Sequence, residues 1–348
     1  MSDLDISAQD AMAMGSRLSG QRILAARPAR PGGNNRVFCL DGADGTRFAL
    51  KYYPSQGIDG RDRLAQEYEA LTFLARHGIS ATPRPIARDT SANCALYEWL
   101  DGEAVVEGGH RDEVDQLAGF VIGLQKLREA EGAADLRDAS ASIFSPSEAV
   151  TQYRQRLDRL RQVEGEYPDL RSFIEHSLIP SGAAAIRRFE QRYASLGWDP
   201  GALLASARRA LSPSDFGLHN ALRGRDGQLR FIDFEYFGWD DPVKLVSDTA
   251  IHPGSNFAEG SRRRLVERIS REFEADDPAF AVRRDALYPV FGMIWCLIIL
   301  NDYLPDSRSR RVFAIRRDEL EARLAGQLDK ARRLHQTLCE RDPDLAPR

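Results

Sequence analysis

Lysine is scarce in this chain of 348 residues. Only four of its 48 lysine and arginine side chains are lysines, at Lys51, Lys126, Lys244 and Lys330. A general preference for arginine explains most of this imbalance. Because a guanidinium cannot replace an ammonium at every site, a lysine that is kept in such a sequence can mark a position that needs the smaller charged group.

Cysteine is rare as well, and the four cysteines lie far apart without a C-x-x-C pair. This spacing argues against a zinc ribbon and a disulfide framework, and it favours a protein of the reducing cytoplasm. The first twenty residues carry early acidic side chains and no apolar run, so no secretory signal is expected.

Long apolar runs and an excess of positive charge are also missing. The longest apolar run, Leu287 to Leu300, has about 14 residues, fewer than the ~20 needed to cross a bilayer, and it predicts a buried core helix. The formal net charge is −4 and the isoelectric point is about 6.0. Proteins dedicated to nucleic-acid binding are usually strongly basic, so neither a nucleic acid nor a membrane is an expected partner.

The first hundred residues have a strand pattern with one helix. Leu64, Tyr68 and Leu71 recur at helical spacing and predict a helix from Arg61 to His77. A Gly- and Asp-rich turn at 41–45 joins two of the expected strands. Short apolar runs predict these strands, at 22–26, 36–40, 46–53 and 94–100.

After residue 102 the pattern becomes helical. One amphipathic helix is expected near 114–127, and a second begins at the capping box Ser145-Pro146-Ser147-Glu148. Helices are expected to continue to about Arg209 and to resume past Ile251, with a loop, a turn and an apolar strand at 229–234 between them. This order of elements predicts an α+β fold with two lobes.

Three features of the first hundred residues suit phosphate binding. The run Pro31-Gly32-Gly33-Asn34-Asn35 lies between two strands, where glycine allows the backbone to approach phosphate oxygens. Lys51 lies inside an apolar strand and needs an anionic partner, and an ammonium there can hold nucleotide phosphates. Glu67, on the helix that follows, can pair with Lys51. Taken singly, each feature also fits a plain β-turn, an edge-strand lysine or a solvated glutamate.

Two features after residue 210 suit phosphoryl transfer. Asp215 and Asn220 are five residues apart, so a carboxylate can orient and deprotonate a hydroxyl while an amide oxygen binds a metal. Asp233 and Glu235 follow an apolar strand, and Asp233 is placed to ligate Mg²⁺. Together with the W-D-D run at 239–241 they bring four carboxylates into nine residues, whose repulsion indicates a metal or a basic partner nearby.

These motifs resemble those of the aminoglycoside phosphotransferase and choline kinase family, a small-molecule branch of the protein-kinase-like fold. The resemblance extends from about Leu24 to Asp248 and rests mainly on D-x-x-x-x-N at 215–220 and I-D-F-E at 232–235. The run Y-E-W-L-D-G at 97–102 is similar to the family's hinge, whose backbone contacts adenine. The resemblance implies a small antiparallel-sheet N-terminal lobe with one helix, residues 1–100, and a large helical C-terminal lobe, residues 103–348.

The resemblance also implies a role for each matching residue. Asp215 is then the catalytic aspartate, and Asn220 and Asp233, with Glu235 as an additional contact, bind Mg²⁺. The implied nucleotide-binding residues are Gly32, Gly33, Asn34, Lys51, Glu67, Glu98 and Leu100.

Two positions depart from the family pattern. Pro213 stands where the family has a histidine that orients the catalytic loop, and Ser212 or Ser214 is a candidate substitute. Leu245 stands where the second aspartate of D-P-x-x-D is expected, and Asp248 follows one turn later. These departures bear more on the geometry of the catalytic loop than on its chemistry, because the catalytic and metal-binding positions are intact.

The sequence therefore predicts an ATP- and Mg²⁺-dependent phosphotransferase that acts on a hydroxyl of an aminoglycoside, a choline-like amino alcohol or a sugar. The alternative is an inactive kinase-like protein that binds a nucleotide or another protein. A protein kinase is disfavoured by D-F-E and by the lack of an A-P-E segment after Asp233. The triplet His110-Arg111-Asp112 has no Asn five residues later and reads as the start of a helix. The acceptor, the choice between ATP and GTP and the oligomeric state stay open.

Overall fold

The computed structural model describes residues 6–29, 36–54, 61–105, 109–255, 257–305 and 317–347. The chain divides into two compact units, described separately below. Unit 1 consists of Met1–Gly108, Gly123–Ser140 and Pro213–Gly238, and unit 2 of Gly109–Ile122, Ala141–Ser212 and Trp239–Arg348. Unit 1 thus takes in residues 213–238, which the sequence assigned to the C-terminal lobe. The boundary at 97–102 stays a prediction.

Unit 1 contains an antiparallel sheet whose strands lie in the order β1-β2-β3-β5-β4. Alternate side chains of the inner strands, among them Phe38, Leu40, Phe48 and Leu50, build its core because successive residues of a strand point to opposite faces. The strands are Ile23–Pro28 (β1), Arg36–Gly42 (β2), Arg47–Tyr52 (β3), Pro85–Asp89 (β4) and Cys94–Glu98 (β5). The strands expected at 22–26, 36–40, 46–53 and 94–100 are confirmed within a few residues at each end.

Two helices belong to this sheet. The expected helix is α2, Arg63–Arg76, and the Asp62 side chain caps it by accepting the Ala65 N–H at 3.0 Å. The other, α1 (Ala8–Ser19), was not expected from the sequence. A capping box of Ser7 and Asp10 begins it, and its small residues permit close packing: a Cβ on Gly15 would lie 2.3 Å from Leu40 Cδ1.

A second, three-stranded sheet of unit 1 has the order β6-β8-β9. Its strands are Glu103–Ala104 (β6), Ala221–Arg223 (β8) and Leu229–Phe231 (β9). The loop with Asp215 and Asn220 leads into β8, and Asp233 follows β9. The apolar strand expected to reach Phe234 ends at Phe231, because Asp233 adopts a left-handed φ of 70° that a strand does not tolerate.

Unit 2 is mainly helical. Two three-residue strands form its small sheet, Ala210–Ser212 (β7) and Gly238–Asp240 (β10). The helix expected near 114–127 is α3, Arg111–Gln125, which crosses from one unit into the other. The other helices are Pro146–Arg161 (α4), Pro168–Phe173 (α5), Ile179–Leu196 (α6), Pro242–Ile251 (α7), Glu259–Glu274 (α8), Phe280–Ile299 (α9) and Arg317–Arg341 (α10).

The predicted extent of the helices before Arg209 is wrong. Helix α6 ends at Leu196, because Gly197 adopts a left-handed φ of 66° as its C-cap. Pro200 and Gly201 follow, and most of the segment up to Arg209 is irregular. The capping box at Ser145 does begin α4, as expected.

Helix α9 lies at the centre of unit 2 and contacts α4, α6, α7, α8 and α10. Together with the turn that follows it, up to Tyr303, it is long and apolar enough to cross a membrane by composition alone. However, 83% of its most apolar stretch is buried inside the protein. The sequence-based interpretation of Leu287 to Leu300 as a core helix is therefore confirmed.

Lys244 is a buried cation of unit 2. Its Nζ lies 2.9 Å from Asp240 Oδ2 and 2.8 Å from Asp248 Oδ2, and Asp248 also accepts the Trp295 indole N–H at 2.8 Å. Burial raises the pKa of Asp240 to about 6, and the charge of Lys244 opposes that rise. Lysines 126 and 330 are exposed, as the sequence indicated. Two of the four lysines are therefore ordinary surface residues.

Replacing Lys244 with methionine is expected to lower the free energy of unfolding by about 3–5 kcal/mol. The substitution leaves two buried carboxylates without their shared cation, and breaking a buried ion pair on one side costs about that much. Chemical denaturation measures the effect, with Lys126→Met as an exposed control that changes little. Equal stability of the two variants would contradict the role of Lys244.

Candidate functional site

Lys51 is the second-last residue of β3, where it pairs with Val37 on one side and Ala95 on the other. Its side chain is only 9% exposed. The Nζ atom lies 2.5 Å from Glu67 Oε2 and 2.6 Å from Asp233 Oδ1. The structure thus brings together three residues that the sequence singled out, although they lie up to 182 residues apart.

Electrostatics keep Lys51 charged in this position. Burial by itself lowers the pKa of an ammonium, but the charges of Asp233, Glu67 and Glu235 outweigh it and raise the pKa of Lys51 well above its usual value. For the Glu67 carboxyl the effect of burial has the opposite sign: burial raises its pKa, and the charge of Lys51 opposes that rise.

Glu67 accepts hydrogen bonds from three donors. Besides the ammonium, its Oε2 accepts the Tyr53 hydroxyl at 2.7 Å, and its Oε1 accepts the Phe234 N–H at 3.2 Å. The Tyr53 oxygen lies 2.7 Å from the Tyr97 oxygen, and all these groups are buried. The third donor is the Lys51 ammonium described above. With three donors around it, the Glu67 carboxylate has little freedom to turn away from the lysine.

Glu235 has a different partner. Its Oε1 accepts a hydrogen bond from Arg63 Nη1 at 2.5 Å, and each of the two side chains is only 2% exposed. Lys51 Nζ lies farther away, 3.9 Å from Glu235 Oε2. Among the described residues, the Lys51 and Arg63 cations lie against the carboxylates of Asp233, Glu67 and Glu235.

The loop before β8 carries Asp215, His219 and Asn220. Asp215 Oδ1 lies 3.0 Å from His219 Nε2, and Asn220 Nδ2 donates to the Asp215 carbonyl at 2.9 Å. Ser214, directly before Asp215, has a left-handed φ of 65°. A backbone conformation this uncommon for serine is typical of functional loops, where the surroundings enforce it.

Two oxygens at this site face no described donor. The Oδ1 of Asn220 accepts no hydrogen bond, and the Oδ2 of Asp233 has neither a hydrogen bond nor an ion pair, within the part of the chain that the structure describes. The Ile232 N–H donates to the Asn220 carbonyl at 2.9 Å and so joins the loop to the segment that carries Asp233. Carboxylate and amide oxygens are the ligands that Mg²⁺ prefers.

The remaining sequence-predicted residues are placed as follows. Glu98 ends β5, and its carboxylate pairs with Arg84 Nε at 2.9 Å. Leu100 lies two residues farther on, and its backbone N–H makes no hydrogen bond to any described residue. Gly32, Gly33 and Asn34 lie outside the described residues.

Sequence reasoning missed the roles of three residues at this site, Arg63, Tyr53 and Tyr97, and it missed the contact of His219 with Asp215. Weak signals were present: Arg63 comes one helical turn before Glu67, and Tyr53 comes two residues after Lys51 on the same side of the strand. The pairing of Arg63 with Glu235 joins positions 172 residues apart, which no local pattern predicts.

Comparisons with known proteins identify the family and the fold of this chain. The model of the phosphotransferase enzyme family matches residues 25–284. A spectinomycin phosphotransferase solved with ADP and spectinomycin is 14% identical, with 95% of this chain and 99% of that chain covered and a TM-score of 0.62. The choline kinase LicA from Streptococcus pneumoniae is 14% identical, with 95% and 100% covered and a TM-score of 0.57.

A macrolide 2'-phosphotransferase of type I is 15% identical, with 92% of this chain and 98% of that chain covered and a TM-score of 0.55. No curated protein matches the sequence significantly. At these identities the solved structures establish the fold alone, which is α+β, two-lobed and protein-kinase-like, as the sequence predicted.

Replacing Tyr53 with phenylalanine is expected to lower the free energy of unfolding by about 1.5–3 kcal/mol. The change removes a buried hydrogen bond to a charged group and leaves the packing nearly intact. Tyr52→Phe is the matched control, because the described residues give the Tyr52 hydroxyl no hydrogen bond. If thermal and chemical denaturation find the two variants equally stable, Tyr53 does not hold Glu67.

Proposed function

Since the chain belongs to the phosphotransferase enzyme family, whose kinases phosphorylate hydroxyl groups of small molecules, we propose that it transfers the γ-phosphate of ATP, with Mg²⁺, to such a hydroxyl. The observation that carries this proposal is the buried Lys51–Glu67 pair beside Asp233, joined through Ile232 and Asn220 to the loop of Asp215. A positioned ammonium, a metal-binding carboxylate and an acidic loop residue are the parts that phosphoryl transfer uses.

Asp215 orients the acceptor hydroxyl and takes its proton. Its side chain is 34% exposed, so an acceptor can reach it, and His219 holds one of its oxygens. His219 thereby supplies the orienting contact that Pro213 cannot. Because the nucleophile and the phosphate are both held in place, much of the barrier is met by positioning.

Asn220 and Asp233 are the residues that fit Mg²⁺. They offer an amide and a carboxylate oxygen with no described partner, and such oxygens are the ligands that a hard divalent cation takes. When bound, Mg²⁺ would neutralise charge on the phosphates. For Lys51 to contact those phosphates, its present bond to Asp233 must loosen while its bond to Glu67 remains.

The remaining parts of the proposal concern the nucleotide and the acceptor. The unbonded Leu100 amide supports an adenine contact at 98–100, and Gly32, Gly33 and Asn34 are the proposed phosphate loop. ADP is bound in the spectinomycin phosphotransferase and AMP in LicA, which favours an adenine nucleotide. Aminoglycosides, macrolides, choline-like amino alcohols and sugars are the acceptor classes to test. The proposal also places the enzyme in the cytoplasm and the hinge between its lobes at residues 97–102.

Asp215→Asn is expected to abolish transfer and to leave nucleotide binding nearly unchanged. The amide keeps the shape of the side chain but cannot accept the hydroxyl proton. ADP release is measured with panels of the acceptor classes named above and with a mixture of proteins. Asp112→Asn is the matched control, since it changes the aspartate of the H-R-D triplet at the exposed start of α3.

Retained turnover in Asp215→Asn would remove Asp215 from the mechanism. Nucleotide binding without turnover in the wild-type protein would favour the inactive kinase-like alternative. ADP release with the protein mixture, but with none of the small-molecule acceptors, would favour a protein kinase.

Lys51→Arg is expected to lower kcat/KM by about 100-fold, the loss typical of one misplaced electrostatic group. The planar guanidinium does not fit between two carboxylates that lie 2.5 and 2.6 Å from a single nitrogen. Lys126→Arg, at an exposed position, is the control. Wild-type turnover in Lys51→Arg would show that the site does not require an ammonium.

A further inference from the structure

We propose that Glu235 is a positioning residue that anchors the metal-binding segment to helix α2 through Arg63, and that it does not ligate the metal. This inference rests on the proposed function for the identity of the metal site. It replaces the role that the sequence suggested for Glu235, that of an additional Mg²⁺ contact. The pair involved is the buried Arg63 Nη1–Glu235 Oε1 contact of 2.5 Å.

Helix α2 binds the segment after Asp233 at three points. Arg63 pairs with Glu235, Gln66 Nε2 donates to the Phe237 carbonyl at 2.8 Å, and Glu67 Oε1 accepts the Phe234 N–H at 3.2 Å. Residues 63, 66 and 67 share one face of the helix because they are three and four positions apart. One helix face therefore fixes the backbone on the C-terminal side of Asp233.

This fixation explains how Asp233 keeps its backbone conformation. A left-handed φ of 70° is unfavourable for a residue with a side chain, and it persists only where the surroundings enforce it. The three anchors lie within four residues of Asp233, and Phe234 and Phe237 are also buried. Loosening the Glu235 anchor should therefore let the Asp233 carboxylate move.

Exposure and charge separate the two carboxylates. The Asp233 side chain is 33% exposed, whereas that of Glu235 is 2% exposed. If Glu235 turned towards a metal, its buried contact with Arg63 would break, and breaking a buried ion pair on one side is strongly unfavourable. The Arg63 guanidinium also lies over the Tyr236 ring, 5.4 Å from its centroid, which holds it beside Glu235.

A double-mutant cycle on the full-length protein tests this role, with Arg63→Gln, Glu235→Gln and the variant that carries both. Mn²⁺ serves as the metal probe, and its affinity for the ADP complex is measured by electron paramagnetic resonance. Melting temperature and kcat are measured for the same proteins. The two glutamines of the double variant are neutral and can hydrogen-bond to each other.

If Glu235 acts through Arg63, the two single variants lose Mn²⁺ affinity and kcat by similar factors, on the order of 10-fold, as changes behind a metal ligand do. The double variant then recovers most of both losses and most of the melting temperature, because two neutral groups that can hydrogen-bond to each other replace the ion pair. KM for the acceptor changes little.

If Glu235 is a ligand, Glu235→Gln and the double variant both lose Mn²⁺ affinity, while Arg63→Gln keeps or gains it; this pattern overturns the inference. If Arg63→Gln folds poorly, Arg63→Lys, which keeps the positive charge, takes its place. Near-normal Mn²⁺ affinity in Arg63→Lys supports the anchoring role of Glu235. A loss of Mn²⁺ affinity equal to that of Glu235→Gln, in a protein of normal melting temperature, contradicts it.

Asp233→Asn separates this inference from the proposed function. It should lose Mn²⁺ affinity in every background. Unchanged binding in Asp233→Asn would overturn the proposed metal site, and the pattern of melting temperature and kcat across the cycle would still decide whether Glu235 works through Arg63.

Discussion

The ammonium of Lys51 stays charged inside the protein only because carboxylates surround it. Removing such a group from water is costly, and the cost is met only when the partners are close and held in place. Glu67 supplies one partner from α2 and Asp233 another from the segment after β9, at 2.5 and 2.6 Å. The positions of the strand, the helix and the segment that carries Asp233 therefore depend on one another.

The same requirement recurs along the acidic run that follows β9. Each of its four carboxylates has a cationic partner: Asp233 has Lys51, Glu235 has Arg63, Asp240 has Lys244 and Asp241 has Arg283. Three of these carboxylates are nearly or fully buried, and only Asp233 is partly exposed. Most carboxylates of this run are therefore paired inside the protein, and Asp233 is the one that stays partly exposed. This exposure supports the proposal that Asp233 binds the metal.

Local patterns predicted the parts of the site that depend on local chemistry. A lysine inside an apolar strand, a glutamate on the next helix and an Asp–Asn pair on a loop could all be recognised from the sequence. Together with the family resemblance they predicted the fold class as well. Helix α1 was missed because small residues make its apolar face weak, and α6 was drawn too long because Gly197 was not recognised as its end.

What could not be predicted depends on packing between distant segments. Arg63 and Glu235 each look like ordinary solvated charges until the fold buries them together, and the role of Lys244 emerges only from its two aspartates.

The central claim is that this site moves phosphate from ATP to a small molecule. Phosphorus-31 nuclear magnetic resonance of ATP, Mg²⁺ and the acceptor panel tests it most directly. A new phosphomonoester resonance that grows as ATP is consumed is the predicted result, whereas inorganic phosphate alone, or no turnover with any acceptor, would contradict the account.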